Sequence, residues 1–196
     1  MLYREAKKYE EYAYVLDFLF HGRSGQSGTP HTQSGLLQLI GDSYCTLLEA
    51  SPIKDANYSV RERIFVGKGE RARVSHIIGR VRYADLSGSA KAELPSILEL
   101  VVSENEPYFV NFFNISQQVT PRMHSLELIP GVGKKLMFHM VNIREKNPFK
   151  SFKDVEERAN LKDPAKQVAK RIFDELSQTE KYLLFTRPYV DRLPSY

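Results

Sequence analysis

The stretch Ile129-Pro130-Gly131-Val132-Gly133-Lys134-Lys135 constrains this chain more than any other. Two glycines, two residues apart, let a backbone take positive φ and pass close to a neighbour, which residues with a Cβ resist. Val132 between them is expected to turn inward and anchor a tight turn. An amphipathic helix is expected from Lys134 to about Lys146, where Asn147-Pro148 stops it. The first backbone N–H groups of such a helix have no intrahelical acceptor and sit at the positive end of its dipole. A phosphate oxygen fits that position, and Lys134 and Lys135 add mobile positive charge beside it. A base-reading site would need Asn, Gln or Arg in fixed geometry. The candidate residues Gly131, Val132, Gly133, Lys134 and Lys135 therefore point to phosphate contact without sequence readout.

The pattern around this turn is helical. Thr120-Pro121 reads as an N-cap and first helical residue, opening a short helix to about Leu128. Ser151-Phe152-Lys153-Asp154 has capping-box spacing, with Asp in place of Glu. Asp163-Pro164 opens a further helix through about Leu176. A helix–turn–helix unit thus occurs twice. In the second copy Asn160-Leu161-Lys162-Asp163 replaces the glycine turn, and Lys162, Lys166 and Lys170 keep that copy basic.

Before about residue 86 the pattern is that of strands. Expected strands are Tyr12 to Phe20, Leu36 to Ile40, Tyr44 to Glu49, Val60 to Val66 and Arg71 to Tyr83, with a hairpin turn at Gly41-Asp42-Ser43. Five short strands suit a small OB-like β-barrel, and Gly79 inside the last marks a bend or bulge. The Gly/Ser/Thr-rich segment His21 to Gly35 reads as a long loop. Alternation along the fifth strand places Arg80 and Arg82 on one face with His76. Together with Phe65, Lys68, Arg71, Arg73 and Tyr83 they form a second candidate surface, of the kind that tracks a single strand with cations and stacks its bases on aromatic rings. Between the halves, Pro95 is expected to begin a helix after a short Ala90 to Leu94 stretch. Tyr108, Phe109, Phe112 and Phe113 continue a helical stripe read as core packing, and Gln117-Gln118 reads as a linker.

Composition narrows the function. The formal net charge is +4, but nine Lys/Arg against four Asp/Glu fall in residues 54–91 and fifteen against ten in residues 121–196, which leaves the rest acidic. Two basic blocks are a better footprint of a polyanionic partner than a uniform excess. The single cysteine, Cys45, permits neither an internal disulfide nor a cysteine zinc site. The five histidines show no metal-ligand spacing, so neither metal nor cofactor is expected. No Walker or Gly-x-Ser-x-Gly motif is present, and no converging carboxylates suggest a nuclease, so catalysis is not expected. No apolar run reaches membrane length, and the N-terminus lacks an apolar signal core. A cytoplasmic protein is expected.

The stretch from Leu126 to Lys135 resembles the helix-hairpin-helix motif, whose signature is an apolar residue, Pro, Gly, an aliphatic, Gly and then basic residues. In tandem versions of that motif a degenerate second copy commonly packs for structure. The whole chain resembles an archaeal family of uncharacterised proteins that pairs an OB-like β half with a tandem helix-hairpin-helix half. Phe65 to Arg71, His76 to Val81 and Ser125 to Lys135 carry that likeness. The resemblance implies an α+β fold with an OB-like barrel over residues 1–86, a helical bridge over 87–118, a tandem helix-hairpin-helix over 119–178 and a tail over 179–196. It implies nucleic-acid binding, with RNA favoured over DNA. The alternative is a protein-interaction adaptor in a ribosomal or RNA-processing assembly, using the helical pairs structurally.

Overall fold

The computed structural model describes residues 9–20, 35–178 and 180–189. Most of the expected long loop from His21 and the end of the tail lie outside those residues. The chain divides into two compact units. The first holds the described residues up to Leu94 and those from Phe185 onward; the second runs from Pro95 to Leu184. The expected bridge is thus shared between the units, and the residues after Phe185 belong with the strands.

The first unit is a curled five-stranded antiparallel sheet: β1 (Tyr12–Leu19), β2 (Leu36–Gly41), β3 (Leu47–Pro52), β4 (Arg63–Phe65) and β5 (Val74–Arg80), in the order β4-β1-β2-β3-β5. The first four strands have the spatial order of a Greek key. Alternation writes the core: Ala13 and Val15 from β1, Leu37 and Leu39 from β2, Leu48 and Ala50 from β3 and Ile64 from β4 are buried together with Val66 and Val74. The expected barrel is met in part. Among the described residues β4 and β5 share no ladder, so the sheet is a half-barrel open between them. β5 also runs antiparallel to β3, whereas an OB barrel pairs those strands in parallel. Cys45, in the turn before β3, is 3% exposed.

The bulge expected at Gly79 is present, with Gly79 at φ +156°. Glu49 pairs with Gly79 but Ala50 pairs with Ile77, so Ile78 is the extra residue. One inserted residue flips every side chain beyond it to the other face. Arg80, opposite Leu48, therefore shares the face of Ile77, opposite Ala50, and His76 pairs with Ser51 on the reverse face. This corrects the expected grouping of His76 with Arg80. Arg82 lies beyond the end of the strand.

α1 (Gly88–Glu104) passes through Pro95 without a break, where the sequence suggested a fresh start. Ala90, Leu94, Ile97, Leu98, Val101 and Val102 along it are all buried. Six such side chains, most worth roughly 1.5–3 kcal/mol each when buried, outweigh the ~3 kcal/mol an interior proline costs. The N-terminus of α1 is fixed by Ser87, whose Oγ accepts from the Ala90 amide at 3.0 Å and donates to Asp17 at 2.6 Å.

The second unit is helical. α2 (Glu106–Ile115) buries Phe109, Val110 and Phe113; the aromatic stripe expected to pack in the core is met in part, because Phe112 is half-buried and Tyr108 is exposed. A two-stranded hairpin follows, β6 (Gln118–Thr120) and β7 (Met123–His124), where a helix from Thr120 and a linker at Gln117-Gln118 were expected. Val119 and Thr120 are β-branched, and Pro121 serves a turn position as well as a helical one. The hairpin is closed by Ser125, whose amide and Oγ both donate to the Gln117 carbonyl. A 3-10 turn over Ser125–Leu128 then leads to α3 (Lys134–Lys146), α4 (Phe152–Ala159) and α5 (Pro164–Ser177). Arg144 of α3 caps the end of α2, donating to the Phe113 carbonyl at 2.8 Å and the Ser116 carbonyl at 2.6 Å.

Candidate functional site

The glycine turn is built from below. Leu126, Ile129 and Val132 are buried, and the Val132 amide donates to the Ile129 carbonyl at 3.0 Å. Val132 thus anchors the turn as expected. Gly131 sits at φ +85°, where a Cβ would be strained. Gly133 is different: it is the N-cap of α3 in extended backbone, φ −87° and ψ 173°, with no side-chain cap. A Cβ there would meet open space. Only one of the two glycines is needed for backbone conformation; the other leaves the helix end uncovered. The first intrahelical bond runs from the Met137 amide to the Gly133 carbonyl. The amides of Lys134, Lys135 and Leu136 precede it. No acidic residue lies in the first turn of α3, and both lysines are exposed.

The second turn repeats this plan without glycine. Asn160 takes φ +64°, Leu161 is buried behind it, and Asp163 at φ +48° precedes Pro164. Asp163 makes no side-chain cap; its amide donates to Glu156 at 3.4 Å. A Cβ on Gly131 would lie 3.5 Å from a Leu161 methyl, so the two turns are neighbours in one packed unit. Lys162, Lys166 and Lys170 are exposed.

The half-barrel treats its candidate residues less evenly. Lys68, Arg71 and Arg80 line one cavity of about 620 Å³, where β5 faces the segment after β4. The other four lie elsewhere. Arg73 is tied to Glu62 at 2.8 Å and stacks over Tyr58. Arg82 pairs with Asp85 at 2.9 Å. Phe65 packs edge-on against Tyr12, and Tyr83 lies in a 3-10 turn under the Lys91 ammonium. Three of the seven converge on the cavity: Lys68 and Arg71 from the segment after β4, and Arg80 on the face that the bulge gives it.

Two contributors were not anticipated. Tyr9 lies under the Lys68 ammonium at 4.6 Å. Arg187, from the segment after Phe185, stacks over Tyr44 and lines the same cavity. The carbonyls of Arg187 and Pro188 accept from Arg80 at 2.9 and 3.1 Å. Burial and the Arg187 charge push the Arg80 pKa down from its ordinary value. No local pattern marks a tail arginine as a partner of a strand more than a hundred residues away. Glu10 is the carboxylate of this cavity, and burial pushes its pKa up against the opposing hydrogen bonds from the Thr46 side chain and the Thr46, Ser43 and Tyr44 amides.

Among the described residues no group of three or more His, Cys, Asp or Glu is placed to hold a metal ion. None of their helices is long and apolar enough to cross a membrane.

An antiparallel half-barrel with a basic cavity, and a helical unit with paired turns, define an α+β protein of two units. Residues 9–187 match the family described as "Protein of unknown function (DUF655)", and the chain belongs to it. It is 37% identical over 183 residues to "Uncharacterized protein MJ0038" of Methanocaldococcus jannaschii, covering 92% of this chain and 82% of that protein. Its structure is similar to the crystal structure of Af1531 from Archaeoglobus fulgidus, with a TM-score of 0.81 and 42% identity over 91% of this chain and 100% of the other.

Proposed function

We propose that this protein binds nucleic acid without sequence specificity, through a helix-hairpin-helix phosphate clamp at Gly131 to Lys135, and without catalysis. The observation that carries this reading is the bare N-terminus of α3. No side chain caps it, its first turn carries no acid, and two exposed lysines flank its first amides. A phosphate oxygen accepting from those amides gains both hydrogen bonds and the helix dipole. The paired turn at Asn160 to Asp163 supports the tandem arrangement. Its role is structural, because Pro164 supplies no amide and Asp163 places a carboxylate at that helix end. The open half-barrel, with its cations and aromatic rings, suits an OB-like strand-binding role.

The test is binding of a mixed panel of RNA and DNA, single- and double-stranded, at several salt concentrations. RNA is expected to bind at least as well as DNA. Affinity should fall steeply with salt, because each neutralised phosphate releases condensed counterions. Replacing Lys134→Glu and Lys135→Glu together should weaken binding to every sequence alike. It should also flatten the slope of log K against log salt by about 0.7–0.9 for each phosphate no longer neutralised. A folded double variant that binds the panel like wild type removes the clamp.

A second reading is favoured by a separate observation. Tyr108 and Ile115 on α2 and Phe138 on α3 are 58%, 64% and 62% exposed, three large apolar side chains on the surface of the helical unit. An adaptor docking on a protein partner in a ribonucleoprotein assembly would use such side chains. A partner retained at high salt after nuclease treatment, and released by Phe138→Glu, favours that reading.

A further inference from the structure

We infer that the cavity of the half-barrel receives one nucleoside monophosphate unit, its phosphate held by Arg71 and Lys68 and its base against the apolar floor. The inference takes its choice of ligand from the nucleic-acid reading above, but its residues lie in the other unit and do not depend on the clamp. The cavity exists because the sheet does not close between β4 and β5. Its volume of about 620 Å³ lies within the range of small-molecule sites, roughly 300–1,000 Å³.

Arg71 is the central group. Its Nε donates to the Gly67 carbonyl at 2.8 Å and the Val66 carbonyl at 3.2 Å. Its two terminal amino groups have no hydrogen-bond or ion-pair partner among the described residues. A guanidinium held from behind, with its fork unspent, is preorganised to grip a phosphate through two parallel bonds. Lys68 stands beside it, over the Tyr9 ring. Arg80 and Arg187 complete four cations around the cavity. The opposing carboxylate, Glu10, is spent on the turn before β3: its oxygens accept from the amides of Ser43, Tyr44 and Thr46 at 3.0–3.1 Å. An anion is favoured.

The remaining lining selects among anions. Leu48, Val66 and Ile77 supply an apolar floor, and Tyr9, 52% exposed, offers a ring face at the rim. Inorganic phosphate would satisfy Arg71 and Lys68 and leave that floor wet. A nucleoside monophosphate covers both halves, whether it arrives free or as the phosphorylated end of a strand.

The test is calorimetric titration of the full chain with the four nucleoside 5′-monophosphates, adenosine and inorganic phosphate at fixed ionic strength. At least one monophosphate should bind at a single site, with adenosine and phosphate each weaker by about tenfold or more, the scale of one charge-assisted contact. Arg71→Gln and Lys68→Glu should each lose about tenfold in affinity on the same grounds. Lys68 is exposed, so its variant stays informative if Arg71→Gln loosens the segment after β4. The Lys134→Glu, Lys135→Glu protein should bind the monophosphate as wild type does, which separates failure of this site from failure of the clamp. Displacement of the nucleotide by a 5′-phosphorylated oligonucleotide, but not by its 5′-hydroxyl twin, assigns the site to strand ends. Displacement by neither assigns it to free nucleotides, and equal displacement by both would overturn a terminal phosphate. The inference also fails if no monophosphate binds wild type, or if both cavity variants bind as wild type does.

Discussion

At the scale of single residues, the two turns of the helical unit show which requirement is steric and which is electrostatic. Gly131 and Asn160 occupy the same place, each at positive φ just before a buried aliphatic residue. Space does not forbid a side chain at Gly131, since a Cβ would meet Leu161 at ordinary contact distance. The penalty lies in the backbone. Gly131→Ala should lower stability by about 1–2 kcal/mol, the cost of holding an L-residue left-handed. Gly131→Asn should lose clearly less, because Asn tolerates that conformation, as Asn160 does. Urea unfolding of the two variants checks this, and equal losses would count against the backbone explanation. Gly133→Ala, in extended backbone facing open space, escapes that strain and should lose only the N-cap preference for glycine over alanine, less than Gly131→Ala loses.

At the scale of elements, caps and periodicity were legible and exceptions to them were not. α3 runs from Lys134 to Lys146 and α5 opens at Pro164, as the glycine turn, the Asn147-Pro148 stop and the Asp163-Pro164 pair implied. The capping box at Ser151 is half realised. Ser151 Oγ accepts from the Asp154 amide at 3.1 Å, while Asp154 accepts from Lys150 rather than from Ser151. Ser151→Ala should therefore cost about 1 kcal/mol, the typical worth of an N-cap, as a lower urea midpoint with unchanged slope. Three features escaped the sequence because contacts distant along the chain decide them. Pro95 reads as a helix start until the burial on both sides of it is known. Residues 118–124 form a hairpin because the Gln117 carbonyl finds Ser125. A bulge was legible at Gly79, but its extra residue, Ile78, and the face it gives Arg80 follow from the register against β3. The glycine turn of the candidate site could be read locally; the basic cavity, assembled from residues 9 to 187, could not.

At the scale of the whole molecule, acid should weaken the fold through His124. Burial, and then the nearby Arg144 charge, hold its pKa below the usual 6.5. Its neutral ring caps the 3-10 turn, Nδ1 accepting from the Leu126 amide at 3.1 Å. The unfolded chain binds the proton more readily, so this contribution is complete above pH 6.5 and is lost as pH falls below it. Glu10 acts with the opposite sign: its raised pKa makes its contribution fade as pH climbs above 4.5. Between pH 7 and pH 5.5, where Glu10 titrates alike in wild type and in His124→Asn, the melting temperature of wild type should lose the His124 contribution. That of His124→Asn should not, because the variant keeps a cap acceptor but cannot take up the proton. Parallel curves for the two proteins would show that another group titrates.

The burial of Cys45 gives the half-barrel a built-in reporter of its own breathing. It is the chain's single thiol, and at 3% exposure a disulfide reagent reaches it only after the turn before β3 has opened. Its labelling rate, divided by the rate in the urea-unfolded chain, measures the open fraction when reclosing is fast. A nucleotide seated in the cavity, which Thr46 and Leu48 also line, should slow that labelling in proportion to its occupancy. The native chain thereby carries a readout of ligand binding that needs no introduced label.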